Sequence, residues 1–314
     1  MMNKKELDTL LSDEAVDSYA SVFYEEVSKT AGKNNDKQSI KLIVPEDTEE
    51  FNKYISILNR KTGQNMQLED DGVIISERLA TLLNVKVGDS ITYTDSNDKS
   101  REVKISGVCE MYAGHFIFMN KEEYKNVYEE DLQINGKLLL LKDSSIENTQ
   151  NQSARFMELS AVKGVVQNTT LYNQIDTIVK SLNKIMLVLI VLAVLLAIVI
   201  LYNLTNINVA ERLRELCTIK VLGFYDKETT MYIYRETIIL SAMGIIVGWI
   251  IGIILHSYIL TVVPPDEVMF NPIVWIGAYI IPLVSISVVS FVLKYYVNAK
   301  LKTVDMLEAL KSVD

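Results

Sequence analysis

Three apolar stretches without a charged residue constrain the fold of this chain more than any other feature. The first, Ile185–Tyr202, is 18 residues long, and Thr237–Val263 and Pro272–Leu293 are longer. A helix that crosses a bilayer needs about 20 consecutive apolar residues. An ordinary core helix is shorter and has a polar face. The sequence therefore predicts three membrane spans, at about residues 185–204, 237–261 and 272–293.

The charges in the connecting segments predict the orientation of these spans. Between the second and third spans lie only Asp266 and Glu267. The first connection and the segment after the third span are basic, with Arg212, Arg214, Lys220, Lys227 and Arg235 in the former and Lys294, Lys300, Lys302 and Lys311 in the latter. Because short cytoplasmic loops are enriched in Lys and Arg, we expect both basic segments in the cytoplasm. Residues 264–271 and everything before Ile185 are then outside.

The part before the spans is acidic. Residues 1–180 contain 21 Lys and Arg against 30 Asp and Glu, whereas residues 181–314 contain 10 of each kind. This charge argues against nucleic-acid binding, which requires basic contacts to phosphate. It either keeps the domain soluble, the interpretation that we favour, or forms an acidic recognition surface. No apolar signal segment occurs in the first 40 residues, so we expect a further span upstream of Met1 to deliver this domain.

The outside part has the pattern of an α+β domain, followed by an all-α membrane domain of three transmembrane helices. We place the domain at 1–170, a stalk helix at 171–184 that runs into the first span, and the membrane domain at 185–314. Alternating apolar residues and turn signals predict the local elements. The predicted strands are 39–45, 71–76, 90–93, 102–108, 111–119 and 137–141. The predicted helices are 47–59 and 77–83, with a turn at Val87–Asp89 and a polar loop at 143–154.

Residues with catalytic or metal-binding chemistry are scattered. The predicted topology separates His115, outside, from His256, within a span, so a shared metal site is not expected. The acidic clusters Glu69–Asp71 and Glu129–Asp131 are better interpreted as solvated loops than as a calcium site. Cys109 and Cys217 lie on opposite sides and fit small buried apolar residues. We expect no catalytic residue, no metal and no cofactor.

The second span carries a face of small residues. Gly244, Gly248 and Gly252 recur every four residues, so they line one side of the helix. Such a face lets another helix approach closely in a membrane. We define these three residues as the glycine face and predict that it packs against a helix.

The segment after the first span is amphipathic. In NLTNINVAERLRELCTIKVLGFYDKE (Asn203–Glu228) we expect the helix to continue to about Leu222, Gly223 to end it and Asp226 to cap the next helix. Charges alternate with apolar residues, and Leu216 is the candidate apolar anchor for a cytoplasmic partner. The alternative is a helix that lies on lipid headgroups. We call residues Arg212–Asp226 the coupling segment.

The coupling segment resembles the loop signature of the FtsX-like (MacB-type) ABC-transporter permeases. The glycine face, the tail LKTVDMLEALKSV and the upstream stretch GVIISERLATLLNVKVGDSITY are similar to the same family. The residues that carry the loop resemblance are Arg212, Arg214, Glu215, Lys220, Leu222 and Gly223.

This resemblance implies a function without chemistry in the chain itself. A separate cytoplasmic ABC ATPase would dock on the coupling segment, and the spans and stalk would pass its motion to the outside domain. Expected partners also include membrane lipid and a second permease unit or a second copy of the chain. One alternative is a transmembrane signalling partner that regulates a cell-wall hydrolase and transports nothing. Another is a membrane-anchored surface enzyme, for which we find no catalytic set.

Overall fold

The computed structural model of the protein describes residues 2–32 and 35–302. The chain divides into two compact units. The first, the sheet unit, comprises Met1–Ile175 together with Leu260–Asn271. The second, the helical unit, comprises Asp176–Ile259 and Pro272–Asp314. Most of the C-terminal tail LKTVDMLEALKSV, from residue 303 onward, lies outside the described residues.

Within the described residues, strands and helices alternate irregularly in the first half, and long helices fill the second. The strands are β1 (Val16–Ala31), β2 (Asp36–Pro45), β3 (Val73–Ser76), β4 (Ser90–Thr94), β5 (Ser100–Cys109), β6 (His115–Phe118) and β7 (Gly136–Leu141). The helices are α1 (Met2–Leu11), α2 (Thr48–Phe51), α3 (Glu77–Leu83), α4 (Lys121–Tyr128), α5 (Ile146–Met157), α6 (Asn168–Glu211), α7 (Leu213–Val221), α8 (Asp226–Val262) and α9 (Gly277–Lys302).

The strands form one mixed sheet in the order β2-β6-β3-β5-β4-β1-β7, and β1 also pairs with β2. The long strand β1 is antiparallel to β2 along Val22–Ala31, contacts β4 where Ser28 lies opposite Thr94, and pairs with β7 through its first half. The sheet therefore closes on itself through β1. The pairs β2–β6 and β3–β5 are parallel, which requires connections that cross over between neighbouring strands.

Two large apolar clusters and a smaller third one fill the described part of the sheet unit. The larger contains Ile40, Leu42, Ile75 and Ile105, all fully buried, and the other contains Phe51 and Phe118. In β3 all four residues are buried, as expected for a short strand covered on both faces. Each Å² of apolar surface removed from water contributes about 25 cal/mol to the free energy of folding, so such clusters are the main source of stability. The α+β class predicted for this part is confirmed.

Most local predictions in the sheet unit succeed, including the strands predicted at 39–45 and 137–141, which match β2 and β7, but others fail. Strand β3, helix α3 and the β4–β5 hairpin form where predicted, and Gly88 has the positive φ of 97° expected for its turn. Helix α2, capped by Asp47, ends at Phe51 rather than near residue 59. The predicted loop at 143–154 is instead helix α5, whose first turn Ser145 caps by accepting from the Asn148 N–H.

Helix α5 shows why polar composition misled the prediction. Its Phe156 is buried with Leu11 and Val16 in a third cluster, so a single apolar face is enough to dock it. The strand β1 and the helix α4 were not predicted. Both are stabilised by contacts with residues distant in sequence.

The helical unit contains three helices that are long and apolar enough to cross a membrane. Their candidate spans are Asp176–Glu211, Tyr234–Val262 and Gly277–Tyr296. The three predicted spans are thereby matched, except that α9 begins at Gly277 and not at residue 272. Helix α6 is continuous for 44 residues, about 66 Å at 1.5 Å per residue. It includes the whole predicted stalk 171–184, whose role stays a prediction.

Candidate functional site

The coupling segment is a short helix between two turns. Helix α6 ends at Glu211, α7 runs from Leu213 to Val221, and α8 begins at Asp226. Gly223 has a φ of 97° and no atom within 4 Å of the position of a Cβ. Glycine is therefore favoured there by backbone conformation and not by lack of space. The prediction that Gly223 ends this helical stretch is confirmed, whereas the break at Arg212 was not foreseen.

The inner side of the coupling segment packs on the helical unit. Leu216 is only 1% exposed and lies in a cluster with Val209, Tyr234 and Leu293. This corrects the expectation that Leu216 is an anchor presented to a partner, because a buried side chain cannot be a docking contact. Leu216, one of the apolar residues that recur at helical spacing in this segment, lies instead on the face of α7 that contacts α6, α8 and α9.

A single ion pair links the start of the coupling segment to α8. Arg212 Nη2 lies 2.5 Å from Glu236 Oε2, and both side chains are about 40% exposed. A pair this exposed contributes about 0–1 kcal/mol. Arg212 thus already has a charged partner within the chain, Glu236, whereas Glu215 is exposed. The side chains of Arg214, Lys220 and Asp226 lie outside the described part of the structure.

The outer side of the coupling segment exposes large apolar side chains. Val221, Leu222, Phe224 and Tyr225 are 69%, 73%, 52% and 80% exposed. The backbone that carries them is fixed, because the Tyr225 N–H donates to Glu228 Oε2 at 3.0 Å at the start of α8. We call these four residues the exposed tip. The sequence singled out Leu216, which is buried, and not the exposed apolar residues beside Gly223.

The glycine face is open within the chain. No heavy atom lies within 4 Å of the Cβ position of Gly244, Gly248 or Gly252. Along α8 no residue in the most apolar window is fully buried by the rest of the chain. The predicted helix partner is therefore not one that the described residues supply.

The connection between α8 and α9, Pro264–Asn271, belongs to the sheet unit, and we call it the docked loop. The Gly114 N–H donates to the Glu267 carbonyl at 2.7 Å, and the Met269 N–H donates to the Tyr112 carbonyl at 3.0 Å. Between these bonds Ala113 and Val268 form an antiparallel bridge. The loop is thus attached by backbone pairing to the residues just before β6.

Side chains of the sheet unit hold the docked loop from the other side. Arg78, on α3, donates to the carbonyls of Asp266 at 3.0 Å and Pro265 at 3.2 Å. Gln38 Nε2 donates to Asp266 Oδ2 at 3.3 Å. Gly32, with a φ of 85°, lets Asp266 approach to 3.0 Å from the position that a Cβ would occupy. No sequence signal singled out Arg78 or Gln38, because their partners are more than 180 residues away.

Beside the docked loop lies a buried histidine without a hydrogen-bond partner. His115 is 1% exposed, and neither ring nitrogen has a partner. Burial lowers the pKa of His115 below its usual value of 6.5, against the opposing effect of Glu267 and Asp266, while Arg78 lowers it further. The imidazole is therefore neutral in this arrangement.

Reactive or metal-binding groups do not come together within the described ranges 2–32 and 35–302. These residues contain no cluster of three His, Cys, Asp or Glu side chains placed to hold a metal. Burial raises the pKa of the Cys109 thiol to about 12, which makes it unreactive. This confirms the interpretation of Cys109 as a small buried apolar residue.

Together, the sheet unit and three long apolar helices define a membrane protein with a large extramembranous domain. Residues 187–304 match the family model "FtsX-like permease C-terminal". Residues 187–304 are thus similar to the FtsX-like permeases, in agreement with the resemblance drawn from the coupling segment. No curated protein sequence matches the chain significantly.

Two solved structures are similar to the chain over about half of its length. One is the extracellular domain of the noncanonic ABC-type transporter YknZ from Gram-positive bacteria, with 12% identity, a TM-score of 0.29, and coverage of 52% of this chain and 85% of that one. The other is the periplasmic region of MacB from Actinobacillus actinomycetemcomitans, with 13% identity, a TM-score of 0.30, and coverage of 55% and 82%.

Proposed function

We propose that the chain is the permease subunit of an ABC transporter and couples ATP hydrolysis by a separate cytoplasmic ATPase to movement of its sheet unit outside the cytoplasm. The match of its membrane part to the FtsX-like permeases supports this proposal. The chain then transmits force and carries out no reaction itself. Export, lipoprotein release and peptide resistance are all uses of such a movement.

The docked loop supports the proposed orientation. It carries Asp266 and Glu267 and no basic residue, whereas the connection between α6 and α8 is basic, so the loop is the segment expected outside. Since the docked loop contacts the sheet unit, both must lie on the same side of a membrane that the helices cross. The charge rule, combined with this contact, therefore supports a sheet unit outside and a coupling segment in the cytoplasm.

The exposed tip carries the coupling proposal. Four large apolar side chains stand at a turn whose inner side is fixed by buried Leu216. A partner that binds the tip would bury apolar surface worth about 25 cal/mol per Å². Because α7 is packed on the helices, a push on the tip moves them rather than bending the loop.

The open glycine face supports a second helix partner. A glycine stripe lets helix backbones approach closely, and within the described residues nothing occupies that space. We propose that a second permease unit or a second copy of this chain packs there, with lipid covering the remaining apolar faces.

The experiment that tests coupling removes the apolar character of the exposed tip. The double variant Leu222→Ser, Tyr225→Ser should abolish co-purification with the candidate ATPase and the stimulation of its ATP hydrolysis in proteoliposomes. Val166→Ser is the matched control, because Val166 is 85% exposed but lies in the sheet unit. Reversal of Arg214 and Glu215 tests the charged part of the same surface. Unchanged ATPase binding in both variants would refute this coupling site.

Orientation is tested separately by cysteine labelling of the Cys217→Ser protein. A cysteine at Asn97, in the hairpin between β4 and β5, should react with an impermeant reagent in intact cells. A cysteine at Tyr225 should react only after permeabilisation. The reverse pattern would overturn the proposed topology.

A further inference from the structure

His115 is unusual because a polar ring is buried without any hydrogen bond. Buried polar groups are almost always paired, because an unpaired one loses its hydrogen bonds to water and gains none in return. Both nitrogens of His115 lack a partner, and the adjacent Gly114 donates the backbone bond that attaches the docked loop. An unpaired group directly at an attachment point indicates a role in the attachment itself.

The charges around His115 come from two elements. From the docked loop, Asp266 and Glu267 favour its protonated form. From α3, Arg78 opposes protonation. The other charged residue at this end of α3 is Glu77. Arg60 donates two hydrogen bonds to its carboxylate, at 2.8 Å and 2.7 Å.

The neighbouring strands add no charge to this face. In the parallel register of β2 and β6, His115 lies beside Ile40 and Phe116 beside Lys41. Successive side chains on a strand point to opposite faces. Lys41 therefore lies on the other face, where its ammonium group contacts the Phe116 ring. Strand β3, on the other side of β6, has the sequence VIIS and carries no charge.

We propose that the docked loop is an acid-released latch, which stays attached to the sheet unit only while His115 is uncharged. In the attached state the imidazole is buried, so protonation there would place a charge in an apolar site. When the loop detaches, water reaches the ring and the proton is accepted without that cost. Acid therefore favours the detached state.

The pH range of release follows from linkage. The attached state binds fewer protons than the detached state, because burial holds the pKa of His115 below 6.5 when the loop is attached. Attachment is thus full above about pH 7 and weakens as the pH falls through the ordinary histidine pKa near 6.5. Between roughly pH 7.5 and 5.5 the attachment equilibrium should fall by up to about tenfold.

Hydrogen exchange on the full-length protein in lipid nanodiscs tests this latch. The Gly114 and Met269 amides report attachment directly, since each makes one of its backbone bonds. After correction for the intrinsic pH dependence of exchange, protection of both amides should fall about tenfold between roughly pH 7.5 and 5.5. Protection of the β3 amides, inside the sheet, should not change. Constant protection of Gly114 and Met269, or loss only near pH 4, would overturn the proposal.

Two variants separate the histidine from other causes. His115→Asn removes the titration and should leave protection equal at both pH values. Glu267→Gln should keep the acid response, because the proposal assigns that response to His115. An acid response that survives in His115→Asn, or that disappears in Glu267→Gln, contradicts the proposal. If His115→Asn does not fold, the pH at which the natural protein loses half of the change in amide protection decides between the causes. A midpoint near pH 6 to 6.5 indicates the histidine, and one near pH 4 indicates carboxyl groups.

Discussion

The sheet unit and the helical unit solve the burial of apolar residues in different ways. The sheet unit encloses its own core, so that Leu42, Ile75 and Phe118 have no exposed surface. In the helical unit no residue in the most apolar windows of the first two spans is fully buried by the chain, and in the third window 11% of the residues are buried. The sheet unit is therefore specified by its own sequence. The helical unit depends on lipid and on other helices for its environment.

The largest expected effect compares one leucine from each unit. Leu42→Ala in the sheet core should destabilise the sheet unit by about 2–5 kcal/mol, because it leaves a cavity in a closed core. Leu196→Ala, at a position 61% exposed on α6, should change the stability of the sheet unit by less than about 0.5 kcal/mol. The free energy of opening, measured by hydrogen exchange at the β2 and β3 amides of the intact protein, checks both. Equal losses would mean that the units do not differ as described.

The same contrast explains what could be predicted from the sequence. The long helices followed from composition alone, since 18 uncharged residues have few alternatives. Strand β3 and helix α3 followed from local patterns. The strand β1 was missed although it forms a local hairpin with β2, while its first half pairs with β7, more than 100 positions away. A short stretch of sequence does not predict the register of pairing between strands that are so far apart in the chain.

The candidate site shows the same limit at the level of single residues. The coupling segment was found from its charges, but Leu216 was assigned outward because helical spacing does not reveal which side of a helix contacts its neighbours. Its neighbours Val209 and Leu293 come from separate helices. The docked loop was recognised only as a short acidic connection. Its contacts with Arg78 join residues 187 and 188 positions apart.

A smaller effect is expected from the side chain that holds the docked loop. Arg78→Gln removes hydrogen bonds to two backbone carbonyls and the 3.6 Å ion pair with Asp266. Loop attachment should weaken by about 1–3 kcal/mol, since a partly buried charged donor is lost. Exchange at the Met269 amide measures this directly. Lys125→Gln, which breaks only the exposed pair with Asp131, is the matched control and should leave that amide unchanged.

The pH dependence of the sheet unit should show a still smaller contribution from Glu77. Hydrogen bonds from Arg60 hold the pKa of Glu77 below its usual 4.5. The folded form thus binds fewer protons, so this stabilisation is present above pH 4.5 and is lost as the pH falls below it. The side chains are 15% and 22% exposed, and solvent screening limits the contribution to about 1 kcal/mol. A stability profile for Glu77→Gln that is as steep as that of the natural protein near pH 4 would contradict this assignment.

The smallest effect on the chain itself is expected at the glycine face, where the comparison is sharpest. A side chain added at Gly248 meets no atom of the described chain within 4 Å, so Gly248→Leu should leave insertion and the fold of both units intact. In the helix interior the substitution removes the glycine penalty of about 1 kcal/mol. A second helix packed on this face could not approach as closely, because close contact there depends on small residues. Cross-linking in native membranes should therefore detect loss of assembly, together with loss of ATPase stimulation, while Val247→Leu on a neighbouring face retains both. Normal assembly of Gly248→Leu would mean that the glycine face contacts lipid, and the second permease unit would then have to pack elsewhere on the helical unit.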